Sequence, residues 1–236
     1  MRRALLIAAL LAVALPATAA AAEGVNVTFD PSTTGEPSVL RVDARLPVQN
    51  WRGFALQLTR GLKIDPFAVA NYCQASDSAE TDSCRPDSRI GGGTAKLTLS
   101  PGGDVPAQIG LYLAPKQRAR DLAGVVAIAT VAGRKHHAVG RIFRLDRSKY
   151  PRVGLEILFD NLRRAFRQPS GIRFRVDRLK LHVGTHRTVD GERHDLLTNP
   201  SRCGTGGWPW HALVIFPMGD RNHYHGAVEC SPVPTP

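Results

Sequence analysis

The chain has 236 residues, and its 31 Lys and Arg against 20 Asp and Glu give a formal net charge of +11 at pH 7. Hydrophobic residues make up 43% and charged residues 22%, a composition that supports a folded core and excludes an intrinsically disordered chain. Four cysteines in a chain of this length are too few for a disulfide-dense miniprotein.

The N-terminus has the pattern of a secretory signal peptide. A basic start precedes an uninterrupted apolar run at 4–15, and small residues follow at 20–22. The apolar run is too short for an ordinary membrane-spanning helix. We therefore expect residues 1–22 to be a signal peptide and residues 23–236 to form one exported, extracellular domain with a short proline-rich tail.

The first half of the chain alternates apolar and polar residues with a period of two, which indicates strands that have one solvent-facing side. The strands expected there are 25–29, 40–46, 54–58, 94–99 and 109–113. A short helix is expected over 65–72. The almost wholly apolar stretch 122–131 predicts a central strand buried on both faces.

The second half continues the strand pattern, with strands expected at 139–145, 212–216 and 226–230. In the stretch 172–183 the alternation changes phase at Asp177-Arg178, which predicts a β-bulge, or else a turn between two shorter strands. Residues 155–167 have apolar residues near helical spacing and predict a helix, although 155–159 fits a strand equally well.

Many short strands separated by Gly and Pro turns favour an all-β fold, an antiparallel β-sandwich of immunoglobulin-like or jelly-roll-like type. Four cysteines in an exported chain predict two disulfides, for which three pairings exist. We favour the two local pairs, Cys73–Cys84 and Cys203–Cys230. Their separations of 11 and 27 positions do not match the close cysteine pairs of a zinc ribbon.

Two cysteine-bearing segments resemble segments of a known group of proteins. Cys84 is followed by Ser-Arg-Ile-Gly at 88–91, and an Asn-Pro-Ser-Arg-Cys turn ends at Cys203. This order resembles a group of exported β-rich modules of high-GC Gram-positive bacteria, over about residues 25–230. The chain differs in having one module and a more basic, His-rich second half. The group has no established activity, so the resemblance implies export and a β fold but no chemistry.

The sequence contains no motif of an enzyme active site. A Gly-x-Ser-x-Gly elbow, a His-Glu-x-x-His pair, a P-loop and a dinucleotide fingerprint are all missing from it. We therefore expect a non-catalytic protein that needs no cofactor. The alternative is a secreted hydrolase whose site is invisible in the sequence.

Three histidines form the candidate metal site. His223 and His225 would point to one face of a strand, and His211 or, as an alternative, His194 is a candidate third ligand. Neutral imidazole is a good ligand for zinc, copper or nickel, so a secreted metal-binding protein is an alternative function. These histidines are otherwise polar side chains on solvent-facing positions.

Positive charge is densest at 141–152 and 163–178. The candidate anion-binding residues are Arg163, Arg164, Arg167, Arg173 and Arg175. Arginine binds phosphates and carboxylates with a planar pair of donors. The leading prediction is a secreted, non-catalytic binding or structural module that associates with an anionic cell-wall polymer or lipid surface. Nucleic acid is not expected, because the basic stretches offer few aromatic side chains for stacking. Ordinary solubility is the alternative explanation of the charge.

Trp208-Pro209-Trp210 follows a glycine-rich loop at 204–207. If both indoles are exposed, they form a platform on which sugar rings stack. If they are buried, they pack against the predicted Cys203–Cys230 bridge.

Overall fold

A computed structural model describes residues 23–46, 51–74, 84–100, 103–162 and 173–233. These residues form fifteen strands and two single-turn 3-10 helices, Pro66–Ala68 and Pro86–Ser88. The strands are β1 Gly24–Asp30, β2 Val39–Arg45, β3 Gly53–Thr59, β4 Lys63–Ile64, β5 Arg89–Ser100, β6 Asp104–Ala114, β7 Asp121–Val131, β8 Arg134–Arg144, β9 Val153–Phe159, β10 Arg173–Val183, β11 His186–Val189, β12 Glu192–Asp195, β13 Leu197–Thr198, β14 Trp208–Ile215 and β15 Arg221–Val228.

Eleven of these strands form one antiparallel sheet in the order β1-β2-β10-β5-β6-β7-β8-β9-β3-β14-β15. The sheet curls until its edges meet, since the Thr34 N–H donates to the carbonyl of Ser231 and the Ser231 N–H donates to the carbonyl of Ser32, at 2.9 and 3.0 Å. Opposite walls of the sheet therefore face each other across one interior. The pairs β4–β13 and β11–β12 are small separate ladders.

The apolar residues of the alternating pattern fill this interior. Successive strand side chains point to opposite faces, so every second residue is turned inward. The largest fully buried side chains include Trp208, Leu40, Leu58, Leu97, Leu113 and Leu155. The predicted all-β antiparallel fold is confirmed.

Both predicted disulfides are present and no described cysteine is free. Cys73–Cys84 lies on the outer face of the sheet, where Cys73 packs with Ala114 and Val126. Cys203–Cys230 ties the segment before β14 to the end of β15. Disulfides persist in oxidising surroundings, which indicates an extracytoplasmic environment. Among the described residues, no helix is long and apolar enough to cross a membrane.

The predicted β-bulge in β10 is confirmed. The pairing of β10 with β5 shifts between Val176 and Arg178, which leaves Asp177 as the extra residue. The bulge lets Val176 and Leu179 both face the interior although they are three residues apart. The freed carbonyl of Asp177 accepts a hydrogen bond from the N–H of Leu46 at 3.0 Å.

Of the two structures that the sequence left open for 155–159, the strand is confirmed and the helix is wrong, because Val153–Phe159 is strand β9. Leu155 faces the interior, whereas Leu158 lies opposite Ala55 on the other face. Leu155 and Leu158 are apolar residues three positions apart on opposite faces of this strand, and that spacing also fits a helix. Residues 163–167 lie outside the described part. The helix expected over 65–72 is reduced to the single turn Pro66–Ala68.

Candidate functional site

Two loops meet at one end of the curled sheet. Residues 115–120 join β6 to β7, and residues 145–152 join β8 to β9. Because β7 and β8 are neighbours, with Asp121 opposite Phe143, both loops lie at the same strand ends. We call this part of the molecule the basic end.

The basic end carries seven exposed cationic side chains, Lys116, Arg118, Arg120, Arg144, Arg147, Lys149 and Arg152. Within the two loops the only carboxylate is that of Asp146, which is exposed. The neighbouring carboxylate of Asp121 is buried at 3% exposure. The solvent-facing charge of this end is therefore strongly positive.

Hydrogen bonds hold both loops in place. The buried carboxylate of Asp121 accepts from the Arg118 N–H at 2.9 Å and from the Arg141 guanidinium at 3.4 Å. In the second loop, the carboxylate of Asp146 accepts from the N–H and the hydroxyl of Ser148, both at 2.9 Å. These two bonds hold the pKa of Asp146 below its usual value. The Asp146 carboxylate therefore forms its hydrogen bonds within its own loop.

Arg60 fixes the second loop to the end of β3. Its guanidinium donates to the carbonyls of Tyr150, Pro151 and Val153, at 2.7, 3.3 and 3.0 Å. Three carbonyls bound by one side chain leave the loop little conformational freedom. The cations of the loop are accordingly displayed on a rigid support.

None of the described residues of the basic end is among the arginines singled out in the sequence. Arg163, Arg164 and Arg167 are outside the described residues, as is the side chain of Arg173. Arg175 is half-buried in β10, opposite Thr98. Of the basic stretch 141–152, the basic end includes the four exposed cations Arg144, Arg147, Lys149 and Arg152. Lys116, Arg118 and Arg120 were missed because they reach it from a distant part of the chain.

The three predicted histidine ligands do come together on the outer face of β14 and β15. His211 Nε2 lies 3.1 Å from His223 Nδ1, and the two rings stack with centroids 5.2 Å apart. His225 is directly opposite His211 in the strand pairing. The described residues nevertheless include no group of three or more His, Cys, Asp or Glu arranged to hold a metal ion.

The histidines belong to a hydrogen-bonded row that crosses four strands. His211 Nδ1 lies 3.1 Å from Gln57 Oε1, and the Gln57 amide donates to Glu156 Oε2 at 2.7 Å. Both ring nitrogens of His211 are thus engaged. A metal at His211 would have to displace one of these contacts, so the metal site stays a prediction.

Burial shifts the pKa values of two members of this row. It raises the pKa of the Glu156 carboxyl, although the bond from Gln57 and the nearby guanidinium groups partly oppose the shift. It lowers the pKa of His211, and the neighbouring His223 and His225 lower it further. Both shifts favour the neutral forms.

The two neighbouring tryptophans are buried, and the idea of an exposed sugar platform is wrong. Trp208 is 2% exposed and Trp210 is 7% exposed. The Trp208 indole N–H donates to the carbonyl of Arg202 at 2.9 Å, and its ring meets Phe29 edge-on. Alternation turns both indoles inward from β14, where they fill the core.

Comparison with known proteins finds no matching family model, no matching curated protein and no matching solved structure. The basic end and the histidine row are therefore interpreted from their own geometry and charge.

Proposed function

We propose that this protein is an exported, non-catalytic binding module that attaches to an anionic polymer or surface of the cell envelope through its basic end. The observation that carries this proposal is the meeting of two loops that, together with Arg144 at the end of β8, present seven exposed cations and one exposed carboxylate. The proposal includes removal of the signal peptide 1–22 before the protein acts.

The chemistry of the basic end suits a repeated anion. Arginine presents a planar pair of N–H donors that matches a phosphate or a carboxylate, and five of the seven cations are arginines. Several like charges on one rigid surface raise the local concentration of a polyanion more than scattered charges do. A polymer with regularly spaced acidic groups can engage several of these side chains at once.

Cosedimentation with isolated cell envelopes tests the proposal, using the oxidised protein without residues 1–22. We expect binding at low salt that falls steeply as salt is added, because a Debye length of about 10 Å at 0.1 M screens exposed charges. Failure to sediment even at low salt would remove the proposal.

A charge-reversal pair locates the binding surface. The variant Arg118→Glu/Arg147→Glu/Arg152→Glu reverses three cations of the basic end. The matched control, Arg52→Glu/Arg134→Glu/Arg221→Glu, makes the same change in net charge at exposed positions near the opposite strand ends. We expect the first variant to lose retention and the control to keep it. Equal losses would mean that net charge, and not the basic end, drives binding.

A further inference from the structure

The interior of the curled sheet contains an apolar cavity of about 120 Å³. Among the described residues, its wall is built by eight strands, β2, β3 and β5 to β10, together with Trp51 and Leu162, and these residues contribute no polar atom to the wall. Protein interiors are otherwise packed as densely as organic crystals, with few voids larger than a water molecule. This cavity is far larger than such a void.

Alanines create the space. Five of them occupy inward positions on four consecutive strands, Ala95, Ala107, Ala127, Ala129 and Ala138. In β7, Ala127 and Ala129 occupy two successive inward positions, where a densely packed core would have larger side chains. The backbone pairing on both sides of β7 is continuous at these positions, so the sheet cannot collapse to close the gap.

The wall determines which molecule can occupy the cavity. A buried water needs two to four polar partners, and an apolar cavity of about 150 Å³ stays dry and takes up benzene or xenon. A wall without polar atoms likewise offers nothing to a charged or strongly hydrated group. An uncharged hydrocarbon fits both the size and the chemistry.

Trp51 adds a second observation at the cavity. Its ring forms part of the wall and is 7% exposed, and the indole N–H is buried with no acceptor among the described residues. Trp51 and Leu162 stand beside the first residues of β3, and the Leu162 N–H donates to the carbonyl of Arg52 at 2.9 Å. Trp51 and Leu162 therefore lie at the strand ends opposite those that carry the basic end.

We propose that this cavity is a binding site for an uncharged hydrocarbon group, either a small apolar molecule or the tail of a lipid. The inference does not rest on the proposed attachment to the envelope. It uses residues of the inner face only, whereas the basic end is built from exposed loop residues.

Methyl-resolved NMR tests the site with three probes, toluene, 1-octanol and octanoate. We expect toluene and 1-octanol to shift the methyl signals of wall residues such as Leu111, Val125 and Ile142. The methyls of Val139, which packs on the outer face, should stay unchanged. Shifts at Val139 alone, or no shifts at the wall, would overturn the proposal.

The charged probe distinguishes the two sources of the hydrocarbon. If the site takes free apolar molecules, octanoate at pH 8 should bind at least tenfold more weakly than 1-octanol, because its carboxylate would be desolvated. If the site takes a lipid tail whose head group stays outside, octanoate and 1-octanol should bind with similar affinity. Both results support the cavity as a hydrocarbon site.

Filling the cavity supplies the mutational test. We expect Ala129→Leu to weaken 1-octanol binding at least tenfold, whereas Ala227→Leu, at an exposed position of β15, leaves the affinity unchanged. Circular dichroism and a thermal melt verify that each variant is folded. Ala138→Leu repeats the test from β8 should Ala129→Leu fail to fold. Unchanged affinity in a folded filling variant would show that the probe binds elsewhere.

Discussion

Glu156 is a buried carboxyl on the outer face of the sheet, 9% exposed and bonded to the Gln57 amide. Burial raises its pKa because a charged carboxylate loses hydration that a single amide bond does not replace. A carboxyl whose pKa is higher in the folded state binds its proton more tightly there. Its contribution to stability is therefore complete below the ordinary glutamate pKa and is lost as pH rises through the raised pKa.

The substitution Glu156→Gln tests this linkage. Glutamine keeps an acceptor for the Gln57 amide but cannot ionise, so we expect the variant to have a higher melting temperature than the parent at pH 7. The difference should shrink as pH falls and vanish below about pH 4.5, the ordinary value for the group. Melting curves from pH 3.5 to 8 measure it. A difference that is independent of pH would contradict the explanation.

Asn199 links two segments at the residue scale. It is 1% exposed, accepts from the Ser38 hydroxyl at 2.8 Å, and donates to the carbonyls of Pro31 and Thr33 at 2.8 and 2.9 Å. The asparagine of the Asn-Pro turn thus holds the β1–β2 connection against the segment after β13. All of its hydrogen-bonding groups but one lone pair are used.

We expect Asn199→Ala to destabilise the protein by about 3 kcal/mol, since a buried polar group left unsatisfied costs about 1–3 kcal/mol. Urea unfolding of the oxidised protein measures the loss. Ser38→Ala removes one of the three bonds and should cost clearly less. An Asn199→Ala variant within about 0.5 kcal/mol of the parent, the range of ordinary surface changes, would contradict this role.

At the scale of elements, β5 and β10 approach more closely than ordinary neighbours. Gly93 lies opposite Leu181, and a Cβ at this glycine would overlap the carbonyl oxygen of Lys180. Glycine is used where backbones come this close, because it has no side chain to displace its neighbour. The Gly93 contact and the bulge at Asp177 both lie in the β5–β10 pair.

The close approach predicts that Gly93→Ala costs about 3 kcal/mol or more, through overlap with backbone that cannot move aside. Gly24→Ala in β1 is the matched control, because a Cβ there meets nothing within 4 Å. The same chemical change should be nearly neutral at that position. Denaturant midpoints of the two variants make the comparison, and equal midpoints would rule out the close contact.

At the scale of the whole molecule, the basic end and the cavity share no residue, because the first consists of exposed residues and the second of inward-facing ones. Changes at distant sites without common partners add independently. We therefore expect Arg118→Glu/Arg147→Glu/Arg152→Glu to bind 1-octanol as the parent does, and Ala129→Leu to sediment with envelopes as the parent does. Measuring both activities on both variants checks this, and a cross-effect would show that the two sites are coupled.

Local patterns were enough to predict much of the fold. Alternation over 25–29, 40–46 and 54–58 corresponds to β1, β2 and β3, and the phase change at Asp177 locates the bulge. At 155–159 the pattern left helix and strand open, because Leu158 on the outer face adds an apolar residue to those at 155, 157 and 159 on the inner face. The candidate site was only partly predictable: His211, His223 and His225 do meet, but the arginines of the basic end combine two loops that are distant in sequence.

The sequence by itself determined the all-β class, most strands of the large sheet and the disulfide pairs, because alternation and short cysteine separations are local properties of the chain. Only the tertiary structure decided that the sheet curls until its edges meet, since this depends on contacts between residues 32–34 and Ser231. The burial of Trp208 and the apolar cavity depend on that closure, and the basic end depends on the pairing of β7 with β8. Each depends on which strands become neighbours, and a one-dimensional pattern carries no such information.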